Sequence, residues 1–208
     1  MHLLLTDALV CPRCGPTFGL ILLAEELRDR RVVEGGLGCA NCRERYPVEG
    51  GFADLRPPPR PPVEATPPLR GDDPEEALRI AALLGLVGQG GRILLTGESV
   101  GQASRLAAML DEVEVVALHP GLRGVGEEPG VSRINAGEKL PFFDGSLRGI
   151  ALEGDPSAGQ LAEAVRTLVP GGRLLVRAPS EGGAAALDEA GLELLLETAG
   201  VLVASRSG

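Results

Sequence analysis

Four cysteines in the pattern Cys-x2-Cys-x24-Cys-x2-Cys, at Cys11, Cys14, Cys39 and Cys42, constrain the N-terminal part of this chain more than any other feature. Each Cys-x-x-Cys forms a tight turn whose two sulfurs converge on one side, so two such turns supply four thiolates to one tetrahedron. Gly15 follows the first pair and Asn41 lies within the second, and both residue types suit such turns. A closed set of four cysteines leaves no open coordination position, which makes the expected zinc ion structural rather than catalytic. So small a segment has little apolar core, and metal binding can supply much of its folding free energy. The competing readings are two redox Cys-x-x-Cys sites or buried free thiols.

Cysteines kept for a metal point to a reducing compartment. The opening MHLLLTDALVCPRCG has an apolar stretch too short for a secretory signal, broken by Asp7 and without a basic leader. Later apolar runs fall well short of the ~20 residues that cross a bilayer. A cytoplasmic protein is expected. The formal charge is −9 and unevenly spread: residues 1–56 carry seven basic and eight acidic side chains, residues 74–208 eleven and eighteen. An acidic larger part repels phosphate backbones, and five aromatic residues with no Trp leave little on which bases can stack. Unaided nucleic-acid binding is not expected.

Three blocks follow along the chain. Residues 1–56 hold all the cysteines. A linker over 57–73 begins with PPPRPPVEATPP, whose seven prolines predict an extended polyproline II spacer. From Pro74 onward, helices and strands alternate. PEEALRIAALLGLV reads as a helix capped by Asp73 with Pro74 in its first turn. RILLT, VEVVALH, VSRIN, LRGIALE, RLLVRAP and VLVASR read as strands. QASRLAAML, SAGQLAEAVRTLV (stopping at Pro170-Gly171-Gly172) and LDEAGLELLLETAG read as the helices between them. Short apolar strands alternating with helices predict a parallel sheet covered by helices.

The segments LVCPRCG and GLGCANCRERYPVEGGFADLRP resemble the small zinc-ribbon protein that activates several tRNA, rRNA and release-factor methyltransferases. The resemblance rests on the Cys-Pro-x-Cys turn and on Cys39, Cys42, Tyr46, Pro47, Val48, Gly51 and Phe52, and covers nearly all of residues 9–56. It implies a β-rich zinc ribbon with Tyr46 and Phe52 in its core, and a protein partner.

Residues 74–208 resemble class I S-adenosylmethionine-dependent methyltransferases, through EKLPFFDGSL and LAEAVRTLVPGGRLLV. The resemblance implies a Rossmann-like, mainly parallel sheet and S-adenosylmethionine as cofactor. Matching of the motifs carries cofactor contacts onto Gly97, Ser99, Gly101 and His119. The match departs from the family where the cofactor is held. In RILLTGESVGQ, Leu95 stands at an acidic position and Ser99 at the middle glycine of a Gly-x-Gly-x-Gly turn. His119 stands where a carboxylate takes both ribose hydroxyls, and a neutral imidazole offers one acceptor only. Ala136 stands where an Asp reads the adenine, and Arg148 replaces another Asp. Three lost polar contacts, at about 1–3 kcal/mol each, amount to roughly two to six powers of ten in affinity.

GESVG also fits Gly-x-Ser-x-Gly, the nucleophile turn of α/β-hydrolases, with Ser99 as nucleophile. No His follows His119, so the acid and base of that fold are missing in order. Gly-x-Gly-x-x-Gly spacing is absent, which disfavours dinucleotide binding. Glu153 and Asp155 sit past a strand end where catalytic groups often lie, yet loop carboxylates are commonly just solvated. The sequence names no catalytic residue. The expected architecture is a zinc ribbon over 1–56, the linker, and a Rossmann-like α/β domain over 74–208 without the family's last antiparallel strand. The leading functional expectation is a methyltransferase-like protein with a degenerate cofactor pocket, acting through a protein partner or a second copy. The alternative is an active methyltransferase on a small molecule or protein.

Overall fold

The computed structural model describes residues 1–62, 73–86, 90–110 and 112–208. The N-terminal part has a short 3-10 segment, Leu3–Ala8, and four strands: β1 (Leu20–Arg28), β2 (Arg31–Cys39), β3 (Arg45–Glu49) and β4 (Phe52–Asp54). Then come α1 (Pro74–Leu83), β5 (Gly91–Thr96), a 3-10 turn Gly97–Gln102 running into α2 (Ala103–Met109), and β6 (Val113–Leu118). A 3-10 turn Pro120–Gly124 leads to β7 (Val131–Asn135) and β8 (Leu147–Glu153). The chain continues through α3 (Ala158–Thr167), β9 (Leu168–Arg177), α4 (Gly183–Glu189), β10 (Leu192–Thr198) and β11 (Val201–Arg206). The helix starts follow their local signals. Asp73 accepts the N–H groups of Glu75 and Glu76 at 2.9 and 3.4 Å, and Ser157 and Gln160 form a reciprocal capping box on α3.

These strands form one sheet, in the order β1-β2-β3-β4-β7-β6-β5-β8-β9-β11-β10. The central strands β7, β6, β5, β8 and β9 are parallel, as their apolar runs predict. The ribbon is not a separate body on a spacer. Its last strand pairs in parallel with β7, aligning Phe52 with Arg133, Ala53 with Ile134 and Asp54 with Asn135.

Alternation along the central strands sends side chains to two faces. Ile93, Leu95, Val115 and Ala117 face α1 and α2. Leu94, Val116, Ile134 and Ile150 share a core with Leu5 and Leu9 from the N-terminal segment and with Phe142. Each fully buried leucine contributes about 1.5–3 kcal/mol, so ribbon and sheet are joined by packing as well as by pairing.

Two sequence expectations differ from the structure. The first part of the linker does not run out extended. Arg60 donates through Nε to the Arg56 carbonyl at 2.6 Å, pairs with Glu44 at 3.0 Å and lies 5.1 Å over the Tyr46 ring. This folds residues 57–62 back onto the ribbon; most of the remaining linker lies outside the described residues. At the other end, LDEAGLELLLETAG is not one helix. Gly191 at φ +79° ends α4 and its turn, and β10 forms a hairpin with β11 through Ala199-Gly200, Gly200 also lying at φ +79°. Strand β11 runs antiparallel beside β9, so the antiparallel strand expected to be missing is present. Leucine and glutamate favour a helix locally, and the tertiary pairing overrides that preference. Among the described residues, no helix is long and apolar enough to cross a membrane.

Candidate functional site

The cysteine turns are twins. In each, the N–H four residues past the first cysteine closes on that cysteine's carbonyl, Gly15 to Cys11 at 2.9 Å and Arg43 to Cys39 at 3.0 Å. The closing residues lie in the left-handed region, Gly15 at φ +92° and Arg43 at +60°. The four sulfurs lie within 4.8 Å of one another. Cys11 Sγ is 3.7 Å from Cys42 Sγ, and Cys14 Sγ is 3.8 Å from Cys39 Sγ. Zinc–sulfur bonds of about 2.3 Å in a tetrahedron place sulfurs about 3.8 Å apart, so the set fits zinc.

A second layer supports the sulfurs. Asn41 Nδ2 donates to Cys14 Sγ at 3.3 Å, and the hydroxyl of buried Tyr46 lies 3.4 Å from Cys11 Sγ. Burial would raise the Cys39 thiol, but backbone N–H groups of Cys42 and Asn41 outweigh it and hold it at about 7. The Glu44 N–H lowers the Cys42 thiol, yet burial and the three other sulfurs push it up to about 12. One thiolate forms readily; four together require a cation.

The seam between ribbon and α/β part is charged. Arg133 on β7 is 1 % exposed and donates to the Gly50 carbonyl at 2.5 Å, the Leu122 carbonyl at 3.3 Å and Glu127 at 3.1 Å. Arg31 of the ribbon also pairs with Glu127. Burial would raise the Glu127 carboxyl, and these cations hold it below its ordinary value. The ribbon grips a second loop through its backbone: Val10 N–H donates to Pro141 and Phe143 N–H to Ala8, both at 3.0 Å.

The order of the sheet reverses at β5, flanked by β6 and β8, and ligands of open α/β sheets bind beyond the strand ends at such a point. GESVG follows β5 there and winds into the 3-10 turn instead of an open glycine loop. Gly97 lies at φ +56°, and a Cβ on it would overlap the Glu153 side chain. Glu153 ends β8, and the Ser99 hydroxyl donates to its Oε1 at 3.0 Å. Arg177, at the end of β9, donates through Nη1 to Ser99 Oγ at 3.2 Å and to Glu153 at 3.3 Å. Its Nη2 pairs with Glu76 of α1 at 2.9 Å. Glu153 and Arg177 thus bond Ser99 within the glycine turn, and Glu76 pairs with Arg177 behind them.

Ser99 is fully buried. The His119 ring caps the next 3-10 turn, its Nδ1 accepting the Gly121 N–H at 3.1 Å. Burial lowers the His119 pKa, and the one acceptor of its neutral ring is used in this cap. Leu95 is wholly inside the core, and Arg148 donates to the Gly85 and Gly90 carbonyls at 2.7 and 3.2 Å. Glu153 is a half-buried member of the network, not a solvated loop carboxylate; Asp155 accepts the Ser180 N–H at 2.7 Å. Glu76 and Arg177 carry no local sequence signal. Two more residues went unnoticed in the sequence, Gln102 and Asn135, which are buried with Gln102 Oε1 and Asn135 Nδ2 unpartnered.

Residues 2–51, with all four cysteines, match the family model described as Trm112p-like protein. That likeness is confined to the ribbon. No curated protein sequence matches the chain. Among solved structures, the chain is similar to one chain of the complex between the Haloferax volcanii Trm112 methyltransferase activator and a candidate methyltransferase. That match has 13 % identity, covers 64 % of this chain and 92 % of that one, and has a TM-score of 0.51. A candidate S-adenosyl-L-methionine-dependent methyltransferase from Methanococcus maripaludis matches at 17 % identity, 65 % and 85 % coverage and a TM-score of 0.49. Geranyl diphosphate methyltransferase with S-adenosylmethionine matches at 15 % identity, 64 % and 85 % coverage and a TM-score of 0.49. The α/β part has the Rossmann-like fold of class I methyltransferases.

Proposed function

We propose that this chain is a non-catalytic, methyltransferase-like protein that acts by binding a partner, its zinc ribbon serving as a built-in structural subunit. The carrying observation is the Glu76–Arg177–Glu153–Ser99 network, which takes the space over the glycine turn where a cofactor would approach the backbone. His119 spends its acceptor on a cap and Ala136 has none to offer, which supports the same reading. The assembly of activator and candidate methyltransferase in the Haloferax volcanii complex supports a ribbon that works against such a domain. Exposed Ile21, Leu23 and Leu27 on one outer strand and Leu194, Leu195 and Leu196 on the other support a further protein partner or a second copy. Cysteines kept for zinc accord with a cytoplasmic protein.

Isothermal titration with S-adenosylmethionine tests this. No binding at millimolar cofactor is expected, and a low-micromolar dissociation constant would overturn it. A second reading, an active methyltransferase on a small molecule or protein, is favoured by the unpartnered Gln102 Oε1 and Asn135 Nδ2, an acceptor and a donor of the kind that read a nucleobase edge. The same titration separates the two. A serine hydrolase through Ser99 is disfavoured, since that hydroxyl is buried and donates to Glu153.

A further inference from the structure

The geometry points to a second ligand site, a groove between α3 and α4 that takes an apolar body carrying one positive charge: an aliphatic or aromatic amine. Two cavities make it up. One, of ≈ 540 Å³, lies between the helices against Leu161 and Val165; the other, of ≈ 280 Å³, reaches the ends of β8 and β9 at Val176 and Asp155. Both are lined by Pro156 and Ala186, so the two adjoin at these side chains. Together they fall within the range of small-molecule pockets. The space exists because Ala158, Ala162, Ala186 and Ala190 line it where larger side chains would fill it. Close packing is the rule between helices, and a gap of this size forgoes the contacts that would stabilise the pair.

Charge decides what the groove would take. Asp155, Glu181 and Glu189 line it. Asp155 accepts a single N–H, from Ser180, and among the described residues the exposed side-chain carboxylates of Glu181 and Glu189 have no hydrogen-bond or ion-pair partner, the Glu181 carbonyl alone accepting from the Ser180 hydroxyl. The lone guanidinium in the lining, Arg166, is spent on Glu163, Asp144 and the carbonyls of Leu140 and Phe142. An apolar trough with unneutralised carboxylates at its rim favours a cation and repels an anion of the same shape. The site does not depend on whether the cofactor pocket is closed.

Two fluorophores with the same naphthylmethyl body and opposite charge test this on the full chain, 1-naphthylmethylamine and 1-naphthaleneacetate. The protein has no Trp, so the probe's emission is read cleanly. The amine is expected to bind with a dissociation constant on the order of 10–100 µM and the acid at least tenfold more weakly. Glu181→Gln with Glu189→Gln should weaken the amine by about 3–10-fold. Ala186→Phe, which fills the junction, should abolish binding, and Ala162→Phe on the outer wall does the same should the first variant not fold. Full zinc content and an unchanged thermal transition establish that a variant is folded. Failure of the amine to bind, equal binding of the acid, or binding that survives a folded filling variant overturns the assignment.

Discussion

At the scale of single residues, the cysteine sulfurs and the glycine turn make opposite uses of close approach. The sulfurs sit at zinc–thiolate spacing, so their repulsion is relieved by a metal. Replacing Cys14→Ser should lower zinc from about one ion per chain to below half, and lower the thermal midpoint by ten degrees or more. Elemental analysis and scanning calorimetry read both effects. At Gly97 the close approach is to a carboxylate side chain. Gly97→Ala should destabilise by about 1–3 kcal/mol, because a Cβ meets both left-handed backbone and Glu153. Combined with Glu153→Ala, which removes the nearest atom but leaves the Cβ of residue 153 at 2.8 Å, the cost should shrink yet stay above the backbone contribution of about 1 kcal/mol. Strict additivity in urea melts would mean that Glu153 does not fill that space.

At the scale of elements, the seam between β4 and β7 carries an unusual load. A three-residue strand alone is a weak join, and Arg133 reinforces it by reaching Gly50 across the seam and Glu127 beside it. Glu127 is 30 % exposed, so its ion pairs are discounted for solvent, yet its carboxyl is held below the ordinary value. A depressed carboxylate adds stability that is fully present above the unfolded pKa, about 4.3, and is lost as pH falls through the folded value. Urea midpoints of the native chain should therefore decline below about pH 4.5 more steeply than those of Glu127→Gln. Equal slopes would remove Glu127 from the acid response; zinc loss at low pH affects both proteins alike. The seam also shows where sequence reading stopped. Phe52 and Tyr46 read correctly as core residues, whereas nothing near Asp54 or Asn135 marks them as opposite partners in parallel strands.

At the scale of the whole molecule, ribbon and α/β part share a sheet and a core, so neither face of β7 is finished without the ribbon. A chain without residues 1–56 would expose the β7 edge and uncover Ile134 and Phe142. Expressed alone, residues 73–208 should be insoluble or lack a cooperative transition. Co-expression with residues 1–56 should restore soluble, zinc-containing protein, as gel filtration would show. A stable, monomeric fragment would mean that the shared core contributes little.

The sequence by itself determined the elements whose signals are local. The paired cysteines specify the metal turns, because four thiolates at that spacing leave few other arrangements. The Asp73 and Ser157 caps start their helices, and apolar runs mark the central parallel strands. Likeness to known motifs carried the Rossmann-like reading and singled out Ser99 and His119. Only the tertiary structure decided what depends on residues distant in the chain meeting. That includes the merger of ribbon and sheet through β4, the hairpin that turned an apparent helix into β10, and the return of the linker onto Tyr46. It also includes the packing of Glu153 against Gly97 and its linkage through Arg177 to Glu76. The physical reason is common to all of them. Caps and metal turns draw their energy from neighbours a few residues away, whereas strand pairing and ion-pair networks draw theirs from partners that sequence spacing does not reveal.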